Sequence, residues 1–549
     1  MRRARPPGEK ARTGPIGGVV HRLGFWALDV RERASPWARW PLHAVARLHR
    51  RLHPDVPLVV VTGSTGKTTT HALVARVLAE RFSVIATGDR DNSDLQFHRY
   101  VLRSRSKANH ALVLEAGIQR PGNAARWNRA IDPDVVLLTN VGDSHLAWLG
   151  SREGVLAEKI ALARNLKRGG TVLLNADDEL LARVRLPHRV LTFGVKSAAD
   201  FVARDVRADA SGLALEVVGP DWTVALRSPL VGPRNAYAVV AAAACGWLFG
   251  IAPDAIARAI GAFAPESAAP RRLVRRERAG MTVIDDTYSA SPQAVVAGLE
   301  ALAAEPGRKV AILGDMLELG EAGARLHEEL GREIARSYPD LRLFTVGPLA
   351  RRIADGARAG GLPAERVTHA GDKIALLEAL ARDLAPGDAV LVKGSAGTHM
   401  EQVVAELGEP PFASPLESMP AVRAIGAFGA HRRPERTHEG IDLPAAIGTP
   451  VRAFARGRIA SVRFEPGYGK VVRIRHFTNV ETVYAHLSRF VVRRGEVARG
   501  QPIALSGRSG ILHDGSQYDY PHLHFEIRIA GVAIDPCRHW PDIAPAAPA

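Results

Sequence analysis

The chain has 549 residues, 46% of them hydrophobic and 24% charged, a balance that excludes wholesale disorder. At about 150 residues per domain this length exceeds a single core and calls for three or four. The net charge of +16 sits on the flanks: residues 1–56 hold 12 Arg and Lys against 4 Asp and Glu, and residues 421–549 hold 18 against 11, so the middle is nearly neutral.

Residues 1–56 form a basic leader in which Trp26, Trp37 and Trp40 are interleaved with Arg22, Arg31, Arg33, Arg39 and Arg47. That composition suits a helix lying on a membrane surface, and equally a helix packed on the domain that follows. No secretory signal is expected, because the apolar stretch Leu23 to Leu28 is short and no small-residue cleavage site follows it. The longest apolar run, Ala236 to Ala252, is alanine-rich and below the ~20 residues that span a bilayer, so it reads as a buried helix. Cys245 and Cys537 lie far apart and offer neither a disulfide framework nor a zinc ribbon. These features predict a cytoplasmic protein, with nucleic acid not expected as a partner.

From Leu58 short apolar runs alternate with helix-like segments, the pattern of a parallel sheet covered on both faces. Residues 57–265 are read as a first α/β domain and 266–408 as a second, beginning where a Pro/Ala-rich stretch breaks the series. Residues 409–424 read as a Pro/Ser-rich linker. Residues 425–540 alternate strand patterns with Gly turns and read as an all-β domain, followed by a tail, 541–549.

Two groups of residues carry chemistry. LVVVTGSTGKTTT (Leu58 to Thr70) places a Gly-rich loop between a strand and a helix. Main-chain N–H groups of Gly63, Ser64, Thr65, Gly66, Lys67, Thr68 and Thr69 can approach the phosphates of ATP, Lys67 adds a point charge, and Thr68 is placed to ligate Mg²⁺. Near the other end, His438 and Asp442 are separated by three residues, with His524 about eighty positions on. Two imidazoles and a carboxylate leave one tetrahedral position on Zn²⁺ open for water. His486 and His522 complete the group as candidate general base and oxyanion or leaving-group partners.

Over residues 57–408 the sequence resembles the Mur ligase family, through TGSTGKTTT, LEAGIQRPG, LLTNVGDSHL, AEKIALA, LNADD, GPRNAYAVVAAAA, VIDDTYSASP, LGDMLELGE and LVKGS. LGDMLELGE, with Leu326-His327 downstream, is most like the branch that adds D-alanyl-D-alanine. The resemblance implies an α/β P-loop ATPase domain followed by an α/β Rossmann-like domain. It implies that ATP phosphorylates a carboxylic acid, that an amine attacks the acyl phosphate, and that an amide, ADP and phosphate result. Carried over by position, Lys67 and Thr68 hold phosphate and the first Mg²⁺ together with Glu115. His145 and Lys159 match the second-metal region, where the family's lysine is often carbamylated. Asn235 matches the adenine contact, Arg272 the γ-phosphate arginine, and Asp286 an acidic residue near the nucleotide.

The chain departs from that family in three places. Only the leader precedes the first core strand, where the family has a uridine-nucleotide domain; the expectation is therefore an acid that is lipid-linked or polymeric. The family's YNANP and KGSR stand here as Tyr288-Ser289-Ala290-Ser291-Pro292 and Lys393-Gly394-Ser395-Ala396, which leaves the amine open. The stretch after Thr87 (GDRDNSDLQFH) also differs.

Residues 425–540 are similar to the LytM/lysostaphin-type zinc metallopeptidases through THEGIDL, GTPVRAFARGRI, GYGKVVRIRH, YAHLS, GEVARGQPIALSG and PHLHFEIRI. The resemblance implies His438, Asp442 and His524 on Zn²⁺, with His486 and His522 as acid/base groups. Ile511 to Tyr520 departs from the short turn usual there; His513 and Asp514 within it are not expected as ligands. The combined expectation is a bifunctional enzyme of cell-wall peptides, an ATP-dependent ligase with a zinc endopeptidase, acting on muropeptide-like substrates at or near the inner face of the membrane. Two alternatives stand beside it: a ligase with a non-catalytic peptidoglycan-binding β domain, and a poly-amino-acid synthetase.

Overall fold

The computed structural model describes residues 40–88, 91, 96–410, 412–433, 436–477, 479–510, 520–540 and 543. The expectations placed on Trp26, Trp37 and the arginines before residue 40, on most of the stretch after Gly88, on residues 511–519 with His513 and Asp514, and on residues 544–549 lie outside the described residues. The chain parts into two compact units: residues up to Thr368 with Pro386–Glu401, and His369–Ala385 with Gln402 onward.

The first unit holds two sheets. The larger has nine strands in the order β2-β3-β1-β4-β5-β6-β7-β8-β9. These are β1 (Leu58–Thr62), β2 (Ser83–Ala86), β3 (His110–Glu115), β4 (Val135–Leu138), β5 (Thr171–Asn175), β6 (Arg189–Gly194), β7 (Phe201–Asp209), β8 (Gly212–Val218) and β9 (Thr223–Ser228). All five residues of β1 are buried, because both faces are covered. Val59 and Val61 point into one core with the helices Lys67–Leu78 and Ala236–Leu248, while Leu58 and Val60 point into another with Leu112, Leu114 and Trp127.

Strands β1 to β6 pair in parallel, as the alternating pattern predicts. The pattern did not reveal the meander β7 to β9, whose strands pair antiparallel. Its period is two: in β8 Leu213, Leu215 and Val217 are buried while Ala214, Glu216 and Val218 between and beyond them are half-exposed. One covered face needs only half as many apolar residues, so the segment lacks the continuous apolar runs of its neighbours.

The run Ala236 to Ala252 forms the helix Ala236–Leu248, buried through Gly246 with Cys245 in the core. Among the described residues no helix is long and apolar enough to cross a membrane.

The helix Trp40–Leu52 packs against the large sheet's domain, the second of the two alternatives for this part of the leader. Leu42 and Ala46 are fully buried, and Arg50 is drawn in with them at 2% exposure. Arg50 donates from Nε to Asp132 Oδ1 (3.1 Å) and from Nη1 to the Val56 carbonyl (2.8 Å). A buried guanidinium is tolerable only when so paired.

The second sheet of this unit runs β10-β11-β15-β12-β13-β14. Its strands are β10 (Val274–Arg278), β11 (Met281–Asp286), β12 (Lys309–Gly314), β13 (Arg342–Val346), β14 (Val367–Ala370) and β15 (Ala389–Lys393). β11, β15, β12 and β13 are parallel, so β11 and β15 finish side by side at Asp286 and Lys393.

The second unit carries a seven-stranded antiparallel sheet built on Ile441–Pro444, His522–Ile529, Val480–Leu487, Gly469–Phe477 and Gly457–Glu465, with Glu496–Val497 and Val532–Ile534 at its margins. One face buries Leu443, Phe454, Ile474, Tyr484 and Phe525. The opposite face carries Asp442, His524 and Glu526.

Replacing Arg50 by Met should remove its bonds to Asp132 and to the Val56 carbonyl and cost about 1.5–3 kcal/mol of unfolding free energy. Denaturant unfolding checks it; a change below about 0.5 kcal/mol would show that this helix is not anchored as described.

Candidate active sites

In the first unit, β1 ends into the phosphate loop and the helix Lys67–Leu78. Gly63 (φ 149°) passes so close to β4 that a Cβ there would lie 1.9 Å from Thr139 Oγ1, so no side chain fits. Asn140 then pins the loop: its carbonyl accepts from the Ser64 N–H (3.0 Å) and its Oδ1 from the Thr65 N–H (2.8 Å). Thr139 Oγ1 donates to the Thr65 carbonyl (2.6 Å).

The loop opens on a cavity of about 680 Å³ lined by residues of both sheets' domains. Of the residues singled out in the sequence, Ser64, Thr65, Gly66, Lys67, Thr68, Thr69, Glu115, His145, Asn235, Arg272 and Asp286 line it. Gly63 and Lys159 are not among the lining residues. Lys159 is fully buried on the helix Arg152–Ile160, its Nζ donating to the carbonyls of Gly63 (2.9 Å) and Ile118 (3.3 Å). Burial, reinforced by the Lys67 charge, pushes its pKa well below the usual lysine value. Burial also lowers Lys67, against the attraction of Glu115.

Glu115 closes β3 and is 6% exposed, its own N–H held by Thr87 Oγ1 at 2.9 Å. His145, at φ 63°, faces Glu318 with Nδ1 2.8 Å from Oε2. Asn235 donates to the Val231 carbonyl (2.7 Å) at the entry to the helix Ala236–Leu248. The Arg272 guanidinium lies 3.6 Å from the centre of the Tyr288 ring. Asp286 is paired with the buried Lys393 at 2.5 Å.

Thr68 and Glu115 supply the hard oxygen chemistry that Mg²⁺ takes. Lys159 as an amine supplies none; it becomes an oxygen ligand only as a carbamate.

Several residues that build the cavity were not singled out. Asp177 accepts from the N–H groups of Val195, Lys196 and Ser197 and from the Tyr237 hydroxyl (2.8 Å), and these bonds hold its carboxyl at about 2 although burial opposes them. Tyr237 and Phe193 face the same cavity, as do Gln119, Gln293 and Glu318. Asp177, Tyr237 and Glu318 fall inside LNADD, GPRNAYAVVAAAA and LGDMLELGE, so the motifs themselves were the available signal.

In the second unit Asp442 and His524 are register partners on adjacent strands, and His522 shares the His524 face two residues away. Gly440 allows the approach of His438, since a Cβ there would meet the Phe525 carbonyl at 2.5 Å. His438 Nε2 lies 2.9 Å from His524 Nδ1 and 3.3 Å from Asp442 Oδ1, and His524 Nδ1 lies 2.9 Å from the same oxygen. Tetrahedral ligands 2.0–2.1 Å from Zn²⁺ stand about 3.3 Å apart, so this triangle fits the ion to within a few tenths of an ångström.

Main-chain carbonyls fix three of the rings. The carbonyl of Ala427 accepts from His438 Nδ1 (2.9 Å), that of Ser509 from His486 Nδ1 (2.9 Å), and that of Tyr520 from His522 Nδ1 (2.8 Å). A carbonyl only accepts, so each proton sits on Nδ1 and each Nε2 lone pair is left for chemistry. His486 and His522 stand with ring centres 4.8 Å apart. Burial holds His486 down to about 3, an unprotonated ring near neutral pH.

Residues 61–246 match the Mur ligase middle domain and residues 271–396 the Mur ligase glutamate ligase domain. The UDP-N-acetylmuramoyl-tripeptide--D-alanyl-D-alanine ligase of Bacillus subtilis is 33% identical over 357 residues, 65% of this chain and 76% of that one. The chain belongs to the Mur ligase family. The Escherichia coli ligase of the same name is 30% identical over 359 residues, covering 64% of this chain and 77% of its own. MurF from Thermotoga maritima in complex with ADP superimposes with a TM-score of 0.59 at 28% identity, over 68% of this chain and 83% of that one. MurF from Acinetobacter baumannii gives 0.62 at 25% identity, over 68% and 81%. Residues 436–536 match Peptidase family M23.

The chain is thus an ATP-dependent amide ligase of the Mur type that also carries an M23 domain. Mur ligases use ATP and Mg²⁺, and M23 peptidases are zinc-dependent. Gly63→Ala should weaken binding of a non-hydrolysable ATP analogue by at least about tenfold, because the displaced loop withdraws several phosphate-facing N–H groups at once. Calorimetric titration of a folded variant with wild-type affinity would refute the close-approach reading.

Proposed function

We propose that the protein joins an amine to the carboxylate of a muropeptide-type acid with ATP, and that its M23 domain hydrolyses a peptide bond in peptides of the same class. The ligase half rests on one observation: the phosphate loop, Glu115, Asn235, Arg272 and the Asp286–Lys393 pair converge on one cavity. In this reading the loop N–H groups and Lys67 hold the β- and γ-phosphates, Asn235 and Tyr237 hold the base end, and Arg272 meets the γ-phosphate. Tyr288, held against the Arg272 guanidinium, keeps that side chain aimed across the cavity.

Mg²⁺ held by Thr68, Glu115 and the His145 side would offset charge on the transferring phosphoryl group. Lys159 serves as a carbamate: its lowered pKa favours the neutral amine, the form that takes up CO₂ with loss of one proton. Ser289, Ala290, Ser291, Ser395 and Ala396 line the cavity beside Lys393, a wall of small residues for the amine. D-alanyl-D-alanine, the amine in the relatives' names, is the first to test. Ligation belongs in the cytoplasm, where ATP is, and the basic leader suits an acid presented at the inner membrane face.

The peptidase half rests on the His438, Asp442 and His524 triangle, whose donor atoms all lie within 4.8 Å of one another. Zinc there would polarise the scissile carbonyl and acidify water. His486, unprotonated at Nε2, would accept the proton that water gives up and pass it to the leaving amine, and His522, once a proton is taken up at its Nε2, would donate toward the developing oxyanion.

Purified protein given ATP, a UDP-linked or lipid-linked muramyl tripeptide and D-alanyl-D-alanine should release phosphate only when acid and amine are both present. Inertness toward every muropeptide acid, alongside turnover of another acid such as polyglutamate, would sink the substrate class. Lys159→Ala should lower kcat at least about 100-fold, and wild-type rate should fall in CO₂-depleted buffer and return with bicarbonate. A rate indifferent to bicarbonate argues against the carbamate.

For the second site, a zinc chelator should abolish cleavage of peptidoglycan peptides and leave ligation intact, and His438→Ala should do the same. Zinc-replete wild type that cuts no such peptide would leave the domain a binding module.

A further inference from the structure

The outer nitrogens of His438, His486 and His522 are held by main-chain carbonyls, whereas that of His524 is held by a carboxylate. His524 Nε2 lies 2.9 Å from Glu526 Oε1, two residues on along the same face of the strand His522–Ile529. Glu526 is fully buried. A buried carboxylate costs several kcal/mol unless its lone pairs are met, and here they are. The Tyr468 hydroxyl donates to Oε1 (2.7 Å) and Arg528 Nε donates to Oε2 (2.6 Å). Arg528 reaches on through Nη2 to Glu439, the residue after His438. A continuous polar chain therefore runs from the inner face of one metal-facing histidine to the loop that carries the other.

A histidine on a metal offers a lone pair from one nitrogen and a proton from the other. Glu526 accepts only, so it draws the His524 proton to Nε2 and leaves the Nδ1 lone pair in the triangle with His438 and Asp442. The Tyr468 ring, edge-on to His524 with centres 5.4 Å apart, restricts rotation of the imidazole. A carboxylate that merely balanced Arg528 would have no need of the ring; this one spends its Oε1 on His524 and Tyr468 together.

We propose that Glu526 is the positioning residue of this metal centre, setting the tautomer and plane of His524, and that Tyr468 and Arg528 hold Glu526 for that purpose. The inference rests on the zinc reading of the site given above. It goes beyond that reading by assigning metal affinity to residues that touch neither metal nor substrate.

The test is zinc affinity of the full-length chain, measured by competition with a chromophoric chelator, with the visible spectrum of the Co²⁺-loaded protein as a second readout. Glu526→Gln should weaken zinc ten- to a hundredfold and alter the Co²⁺ bands, with ligase turnover and near-UV circular dichroism unchanged. Tyr468→Phe keeps the carboxylate and its arginine, and should weaken zinc about two- to tenfold; it decides the matter should Glu526→Gln fail to fold. One zinc per wild-type chain, with both variants within twofold of it and the Co²⁺ spectrum unmoved, overturns the inference alone. A wild-type chain that takes up no zinc overturns the metal reading and this inference with it.

Discussion

The ligase site depends on how close β1 and β4 come where they end. Gly63 leaves β1 against Thr139 at a separation that only a missing side chain permits, and the Asn140 bonds then fix Ser64 and Thr65. Because the helix starts at Lys67, the direction of its first N–H groups follows from that contact. Glu115 ends β3, the next strand, and Asp286 and Lys393 end β11 and β15 of the other sheet. Groups placed at the ends of buried strands inherit the rigidity of the sheet, which is why open α/β sheets bind ligands outside their carboxyl edges.

Charge explains what such a cavity awaits. Burial disfavours the charged forms of Lys67 and Lys159, the Lys67 charge adds to this at Lys159 and Arg272 at Lys67, and Glu115 opposes it. Depressed lysine pKa values mean that the protein holds these groups at a cost, which an anionic triphosphate offsets on binding. Carbamylation of Lys159, as proposed, would act in the same direction. It would exchange a potential cation for an anion beside Lys67 and turn a repulsive pair into an attractive one, while furnishing oxygen where the amine has none.

The sequence was most legible where function is local in the chain. The phosphate loop, the strand-ending Glu115 and the His-x-His of the last domain each sit in a short stretch whose spacing declares its geometry. What depended on distant partners was less legible. Glu318 could not be assigned to His145, 173 residues away, nor Asp177 to Tyr237, 60 residues away, because only folding brings them together. Glu526 lay in plain view in PHLHFEIRI, but its pairing with Tyr468 crosses 58 residues and a sheet register. The β7 to β9 meander escaped for a different reason: a sheet with one wet face alternates, and the apolar runs that mark its parallel neighbours are missing. The helix Trp40–Leu52 carries two signals at once, since arginines suit a lipid surface until one of them, Arg50, is seen to be buried and paired.

A Mur ligase and an M23 domain on one polypeptide raise a thermodynamic question. Were the M23 site to cut the amide that the Mur site makes, each round would consume one ATP and return the starting acid and amine. The pairing is productive only where the bonds differ, or where the two sites meet different forms of the peptide. Selectivity between amides in similar peptides comes from the groups that flank the bond rather than from the amide itself. On the ligase side a wall of small residues, Ser289 to Ser291 with Ser395 and Ala396, stands beside the Asp286–Lys393 pair. Beside the metal triangle the sheet face instead presents Arg473 paired with Glu465 and Glu481, and Arg528 paired with Glu439. A wall of small residues suits short uncharged side chains such as alanine's, whereas a face of paired opposite charges suits peptide with carboxylates and amines of its own. Under the proposed function the two surfaces would favour different bonds, which is the condition under which making and breaking can coexist in one chain.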